Sequence, residues 1–250
     1  MRTRMRRGVA AALTASALVL TAAACGGGED EKKPAASGEA GGDKASAPAE
    51  EKPAASTEPL TAAQLKAATL VAADLGDGWK AAPIPADDEP APKADKAECQ
   101  PIADLMTEVP ATASAKGEAA DFEKGAEGDS ALSQRAFTYE GTGAADLTKA
   151  LGAALDACPK LSFTQDGEKV EMNIQKLPGA PKTAEESYAF VMDMPIPGLD
   201  MSIKAHLLIA RQGTGITRAA YVPGQDPAAA KAFDALIPKI GDKLVKATQG

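Results

Sequence analysis

Polar and apolar positions alternate most regularly in LSFTQDGEKVEMNIQKL, residues 161–177. Val170, Met172 and Ile174 take turns with Glu171, Asn173 and Gln175 around Asp166-Gly167. This period of two predicts a hairpin with one buried face, closed by a tight primed turn. Tyr188 to Met194 is apolar on both faces and predicts a more central strand; two more are expected near Asp200 to Arg211 and Ile216 to Val222, joined through Gly213-Thr214-Gly215. An earlier strand is predicted from Ala131 to Glu140.

The period changes to the helical one in four places. In PLTAAQL, Thr61 and Gln64 form a capping box and Leu60 with Leu65 a staple, so a helix is expected from there to about Leu75, stopping at Gly76. Pro101 suits the first turn of a short helix carrying Ile102, Leu105, Met106 and Val109, ended by Pro110. From Ala144 to Ala157, Leu147, Leu151, Leu155 and Cys158 fall on one stripe, which turns the cysteine toward the core. Asp226 and Pro227 are expected to start a last helix bearing Phe233, Leu236, Ile237, Ile240 and Leu244, kinked or split by Pro238. Residues 81–98 are Pro-rich and predicted irregular, and residues 111–129 are expected to be a surface excursion around Phe122. The sum is an α+β domain over residues 60–250: a single antiparallel sheet of about five to six strands with helices packed on it.

The first 59 residues have a different character. Residues 1–24 begin with four arginines and no acid, continue as a short apolar run, and end in Ala22-Ala23-Ala24 before Cys25. A basic head, an apolar stretch and small residues at a cleavage point form a secretory signal, too short for a spanning helix. Residues 26–59 are mostly Gly, Ala, Ser, Pro, Glu and Lys with no aromatic, so residues 25–59 are expected to be a disordered tether. As a flexible coil of about 35 residues it would hold the domain roughly 30 Å from its anchor.

Ala22-Ala23-Ala24-Cys25 resembles a bacterial lipobox, with Ala22 where leucine is commonest. The resemblance implies that Cys25 is the lipid attachment site, acylated (palmitate) through sulfur, and that the chain lies lipid-anchored on the extracytoplasmic face of the cell membrane. Cys99 and Cys158 are then an even pair in an oxidising compartment, expected to form one disulfide.

The whole chain has a net charge of −8; without residues 1–24, Lys plus Arg falls from 27 to 23 against 35 Asp plus Glu, giving −12. Such a surface repels nucleic acid. No P-loop, Gly-x-Ser-x-Gly elbow, His-Glu-x-x-His or Cys-x-x-Cys occurs. The only histidine, His206, lies opposite Ile203, Ala205, Leu207 and Ile209 in its strand, a solvated or helix-shielded position rather than a hydrolase base. Neither a cofactor, a metal site nor a catalytic residue is expected. A soft cluster remains, Met172, Tyr188, Phe190, Met192, Met194 and Met201, with Tyr139, Tyr221 and Trp79 elsewhere. It fits ordinary core or the lining of an apolar-ligand site.

The signal, the Ala/Gly/Pro-rich tether and the Ala-heavy domain resemble actinobacterial lipoproteins. The opening LTAAQL helix, Cys99 before a short helix, the Tyr139 strand, the helix ending in Cys158 and the late sheet are similar to the extracellular sensor domains of mycobacterial receptor Ser/Thr kinases. Those domains usually carry two disulfides, whereas this chain can make one. The resemblance implies a helix-flanked antiparallel sheet with a ligand cleft and no enzymatic activity. The expected function is a membrane-anchored, sensor-like binding module for a small or apolar ligand or a cell-envelope component. The alternative is a lipid or glycolipid carrier, with an envelope enzyme a third possibility.

Overall fold

A computed structural model describes residues 57–84, 90–108, 110, 112–125, 129–165, 167–196, 198, 200–224 and 228–250. The expected signal, lipobox and most of the tether lie outside these residues, as do Val109, Asp166, Asp226 and Pro227. The chain is already tied to the sheet just ahead of the expected domain start. Thr57 O accepts from Gly141 N at 3.2 Å and Glu58 O from the Thr214 hydroxyl at 2.8 Å.

The architecture is α+β with a single antiparallel sheet, but the sheet has eight strands rather than five or six. They are β1 (Trp79–Ala82), β2 (Ala115–Lys124), β3 (Ser130–Thr138), β4 (Lys160–Gln165), β5 (Glu168–Lys176), β6 (Glu186–Pro195), β7 (Ser202–Gln212) and β8 (Gly215–Val222), in the order β1-β2-β3-β8-β7-β6-β5-β4. The two strands the pattern missed are β1 and β2. Residues 115–124, AKGEAADFEK, contain a single large apolar side chain and read as a loop. Pairing with β3 makes them a strand: Phe122 lies opposite Leu132 and is buried, and Asp121 faces the other way. A bulge between Lys116 and Ala119 breaks the alternation that would have revealed it.

Five helices lie among the described residues: α1 (Ala62–Ala67), α2 (Ala72–Leu75), α3 (Gln100–Ala103), α4 (Gly143–Ala157) and α5 (Ala229–Gln249). The capping box at Thr61 and Gln64 is present. The helix expected to continue to Leu75 is instead broken into α1 and α2. The cause is Gln134, fully buried in β3, whose amide donates to Ala68 O (3.1 Å) and accepts from Leu70 N (2.7 Å). A third bond, to the Thr217 hydroxyl at 2.9 Å, completes its pairing. Leaving a buried amide unpaired would be the more expensive arrangement.

Pro238 does not split α5, which runs unbroken from Ala229 to Gln249. Its ring lies on the exposed face of the helix, so the carbonyl it deprives of a partner stays within reach of water. The hairpin of β4 and β5 turns through Gly167 at φ +82, a conformation that favours glycine.

Two helical layers sandwich the sheet. On one face, α1, α2 and α5 cover Phe122, Leu132, Ala136, Leu208, Ala219 and Tyr221. On the other, α3 and α4 cover Phe137, Phe163, Met172, Phe190, Leu207 and Ile209. The disulfide Cys99–Cys158 joins the start of α3 to the end of α4, with Cα atoms 5.9 Å apart. As the stripe predicts, Leu151, Leu155 and Cys158 are buried.

Candidate functional site

The proposed ligand-lining residues are divided by the structure. Met172, Tyr188, Phe190, Met192 and Met194 share the α4 face of the sheet; Met172, Phe190 and Met192 are buried core, with Tyr188 and Met194 packed beside them. Met201 stands apart, 61% exposed next to the similarly exposed Ile203. Neither of the two clefts described below includes any of the six. Tyr188 instead serves a polar cluster, donating to Glu186 at 2.8 Å, while the Thr148 hydroxyl donates to the same carboxylate at 2.7 Å and Arg211 at 3.2 Å. Burial raises the Glu186 pKa, yet these three donors together hold it below the usual carboxylate value.

His206 is the helix-shielded case. It is buried beneath α5, its ring 5.3 Å from Phe233 and 6.2 Å from Tyr221, and its Nδ1 has no partner. Burial lowers its pKa, opposed by Asp234 and reinforced by Lys204. Among the described residues no hydrogen bond between His206 and a carboxylate or hydroxyl is present, the arrangement that would orient it as a catalytic base. Among the described residues no three His, Cys, Asp or Glu side chains come together as a metal site, and no helix is long and apolar enough to cross a membrane.

The more distinctive cleft lies where the α4 face is covered by a strap of short helical turns, α3 among them, and non-helical chain, residues 97–108, 110 and 112, rather than by a long helix. Two arginines hold this strap. Arg135 of β3 and Arg218 of β8 are directly opposite each other in the register, and both are buried. Arg135 pairs with Asp121 of β2 and with Glu108 of the strap. Burial disfavours its charge, but the two carboxylates more than reverse this and raise its pKa. Arg218 lies over the Phe137 ring and donates to the strap carbonyls of Leu105, at 2.6 Å, and Thr107. Burial pushes its pKa down to about 10, still charged at neutral pH. Two arginines against Glu108 and Asp121 leave this cluster neutral overall, an arrangement that favours burial.

With one end bound by the disulfide and the middle by Arg135 and Arg218, the strap stands off the first turns of α4. The space between is an open cavity of about 300 Å³ walled by Pro101, Leu105 and Pro110 on the strap and Leu147 and Ala150 on α4. Tyr139, 2% exposed, is part of its lining. Among the described residues the buried Tyr139 hydroxyl has no hydrogen-bond partner, although Thr112, also in the lining, lies near enough to favour its ionised form slightly. Burial pushes its pKa up to about 12, so it is a neutral donor. A desolvated hydroxyl left unmatched beside a cavity is an unusual expense in a folded protein.

A second cleft, of about 350 Å³, opens on the α5 face between Trp79, Tyr221, Lys124, Asp129 and Lys239. Its charged side chains are exposed, and none of its lining side chains is a buried polar group without a partner.

The sequence pattern placed Tyr139 outside the candidate cluster and passed over Asp104, Asp146 and Arg218. One signal was present: an arginine in the middle of GITRAAYV, otherwise a central apolar strand, marks a buried charge with a structural task.

The described fold is similar to the extracellular domain of PknH from Mycobacterium tuberculosis, with a TM-score of 0.48 and 10% identity, covering 78% of this chain and 99% of that one. It is also similar to an uncharacterised protein of Mycobacterium smegmatis, the ortholog of Rv0999, with a TM-score of 0.37 and 13% identity, covering 79% of this chain and 97% of that one. No family model and no curated protein matches the sequence.

Proposed function

We propose that the protein is a membrane-tethered, extracytoplasmic binding module without enzymatic activity, and that the cleft between the strap and α4 takes a small, largely apolar ligand. The observation that carries this reading is the open cavity itself, about 300 Å³ between largely apolar walls on the strap and on α4. The cavity is at the small end of ligand sites, which run from about 300 to 1,000 Å³. Its open mouth supports binding of a compact ligand better than carriage of a lipid or glycolipid. The tether and anchor rest on residues 1–59 and on Cys25 as the acylated residue. The Cys99–Cys158 bridge supports an oxidising compartment.

Native mass spectrometry of the whole protein purified from the envelope of its host tests this. Retention of a small ligand that is lost in Ala150→Trp, which fills the cavity, is the expected result, together with an acyl mass that disappears in Cys25→Ser. A retained acyl or glycolipid that is unaffected by Ala150→Trp would instead establish the carrier.

A further inference from the structure

We infer that the cleft beside α5 is a second binding site, for a saccharide: a hexose ring whose C–H face lies on Trp79 and whose hydroxyl edge is shared among Lys124, Asp129 and Lys239. It is independent of the strap cleft, which belongs to the other face of the sheet.

The site lies at the margin of the cover that α5 provides. Leu236 is turned into the core, while Ala235 and Lys239, a turn apart on the side of the helix, stay exposed. These residues wall an open space of about 350 Å³ whose other side is Leu75 of α2, Trp79 of β1 and the turn between β2 and β3. Trp79 is the only tryptophan of the chain. It is half-buried, its ring 6.3 Å from that of the buried Tyr221, so a large apolar group remains partly open beside a fixed aromatic neighbour.

The rim has the opposite chemistry. Lys124 is directly across from Trp79 in the register of β1 and β2, and Asp129 stands just before β3. Neither enters an ion pair among the described residues. Lys239 donates to Asp74 O at 2.8 Å and keeps its other N–H donors for the cleft. Gly125 leaves room for the acceptor, since a Cβ there would stand 2.6 Å from the Asp129 carboxylate.

Donors and an acceptor thus surround one apolar floor. A simple anion would meet Asp129, a simple cation would meet two lysines, and a purely apolar ligand would strip water from all of these charges without replacing it. A hexose has the matching distribution. The C–H groups on its ring face are polarised positive and suit the electron-rich face of an indole. The hydroxyls around its edge each donate and accept, so the same ring serves the lysines and the carboxylate together. The volume is at the small end of ligand sites, about 300–1,000 Å³, and fits a short saccharide unit.

Because Trp79 is the only tryptophan, its fluorescence in the full chain carrying Cys25→Ser reports on this cleft. Three probes are titrated: cellobiose, cyclohexanol, which lacks the hydroxyl edge, and cyclohexanecarboxylate, which replaces it by an anion. Cellobiose is expected to shift the emission and to bind about fivefold more tightly than either ring, with no dependence on salt. Asp129→Ala and Lys124→Ala change exposed side chains, so the fold is retained; each should weaken cellobiose about threefold and leave cyclohexanol unchanged. Cyclohexanol binding as tight as cellobiose, a tighter and salt-sensitive carboxylate, or cellobiose binding indifferent to both substitutions overturns the saccharide site. So does an emission that none of the probes changes, and that result leaves the reading of the strap cleft standing.

Discussion

The two faces of the sheet are covered by different means. The α5 face is closed by a 21-residue amphipathic helix whose Phe233, Ile237, Ile240 and Leu244 are fully buried, with Gln134 satisfied by three bonds. The other is closed in part by α4 and in part by an irregular strap held by a disulfide and two arginines. Among the described residues three buried polar atoms have no partner, His206 Nδ1, Asp193 Oδ1 and the Tyr139 hydroxyl, and only Tyr139 is a residue that lines a cleft. His206 Nδ1 belongs to a ring packed against Phe233, whereas Tyr139 lines the cavity under the strap. A regular helix fills the space it covers by repeating its apolar stripe. A strap pinned at a few points does not, and room for a ligand remains.

That contrast can be broken most forcefully at Phe233. Its ring is fully buried, stacked near Tyr221 and His206. Phe233→Ala should lower stability by about 4–5 kcal/mol in urea denaturation. Ligand affinity of the strap cleft in the folded fraction should be unchanged, and a parallel loss of affinity would mean that the faces are not independent.

Next comes the bridge on the strap side. Replacing Cys99 and Cys158 by serine together releases a 59-residue separation, which the chain-entropy model values at about 4 kcal/mol. Here the two measurements should move together: denaturation midpoint and ligand retention by the strap cleft both fall, because the strap that roofs the cleft loses its fixed end. Retained binding in the folded double variant would show that Arg135 and Arg218 suffice to place it.

A smaller effect distinguishes the orphans by pH. The folded pKa of His206 is depressed by burial, so below its unfolded value of about 6.5 the unfolded chain takes up a proton that the folded one resists. Stability should therefore fall as pH drops from 7.5 to 5.5, by at most about 1.4 kcal/mol for this group. His206→Gln should flatten the slope in that window, above the range where Glu186 and Asp74, both depressed, begin to contribute. An unchanged slope would remove His206 as its source.

Smallest of all is Tyr139→Phe. Deleting an unpaired buried hydroxyl should raise stability by about 1 kcal/mol in urea denaturation. A loss of stability would mean that the hydroxyl already has a partner in Thr112.

Much of this division was legible beforehand. The hairpin at residues 161–177, the stripes of α4 and α5 and the capping box at Thr61 come from side-chain spacing within a few turns or pleats, and each is present in the structure. The cysteine pair followed from arithmetic and compartment. What failed depended on distant partners. β1 and β2 are strands because β3 offers an edge, α1 ends because Gln134, some 65 residues on, claims its last carbonyl, and the strap lies where two arginines on neighbouring central strands hold it. Of the soft Met and aromatic cluster, Met172, Phe190 and Met192 are core because alternation put them on one face that α4 covers, whereas Met201 is exposed. Local periodicity and capping chemistry are carried by residues close in sequence, so the chain alone determined α4, α5, the start of α1, the regular strands and the choice of bridge. Which cover fits tightly and which leaves a cleft depends on contacts between residues far apart in sequence, and only the tertiary structure decided it.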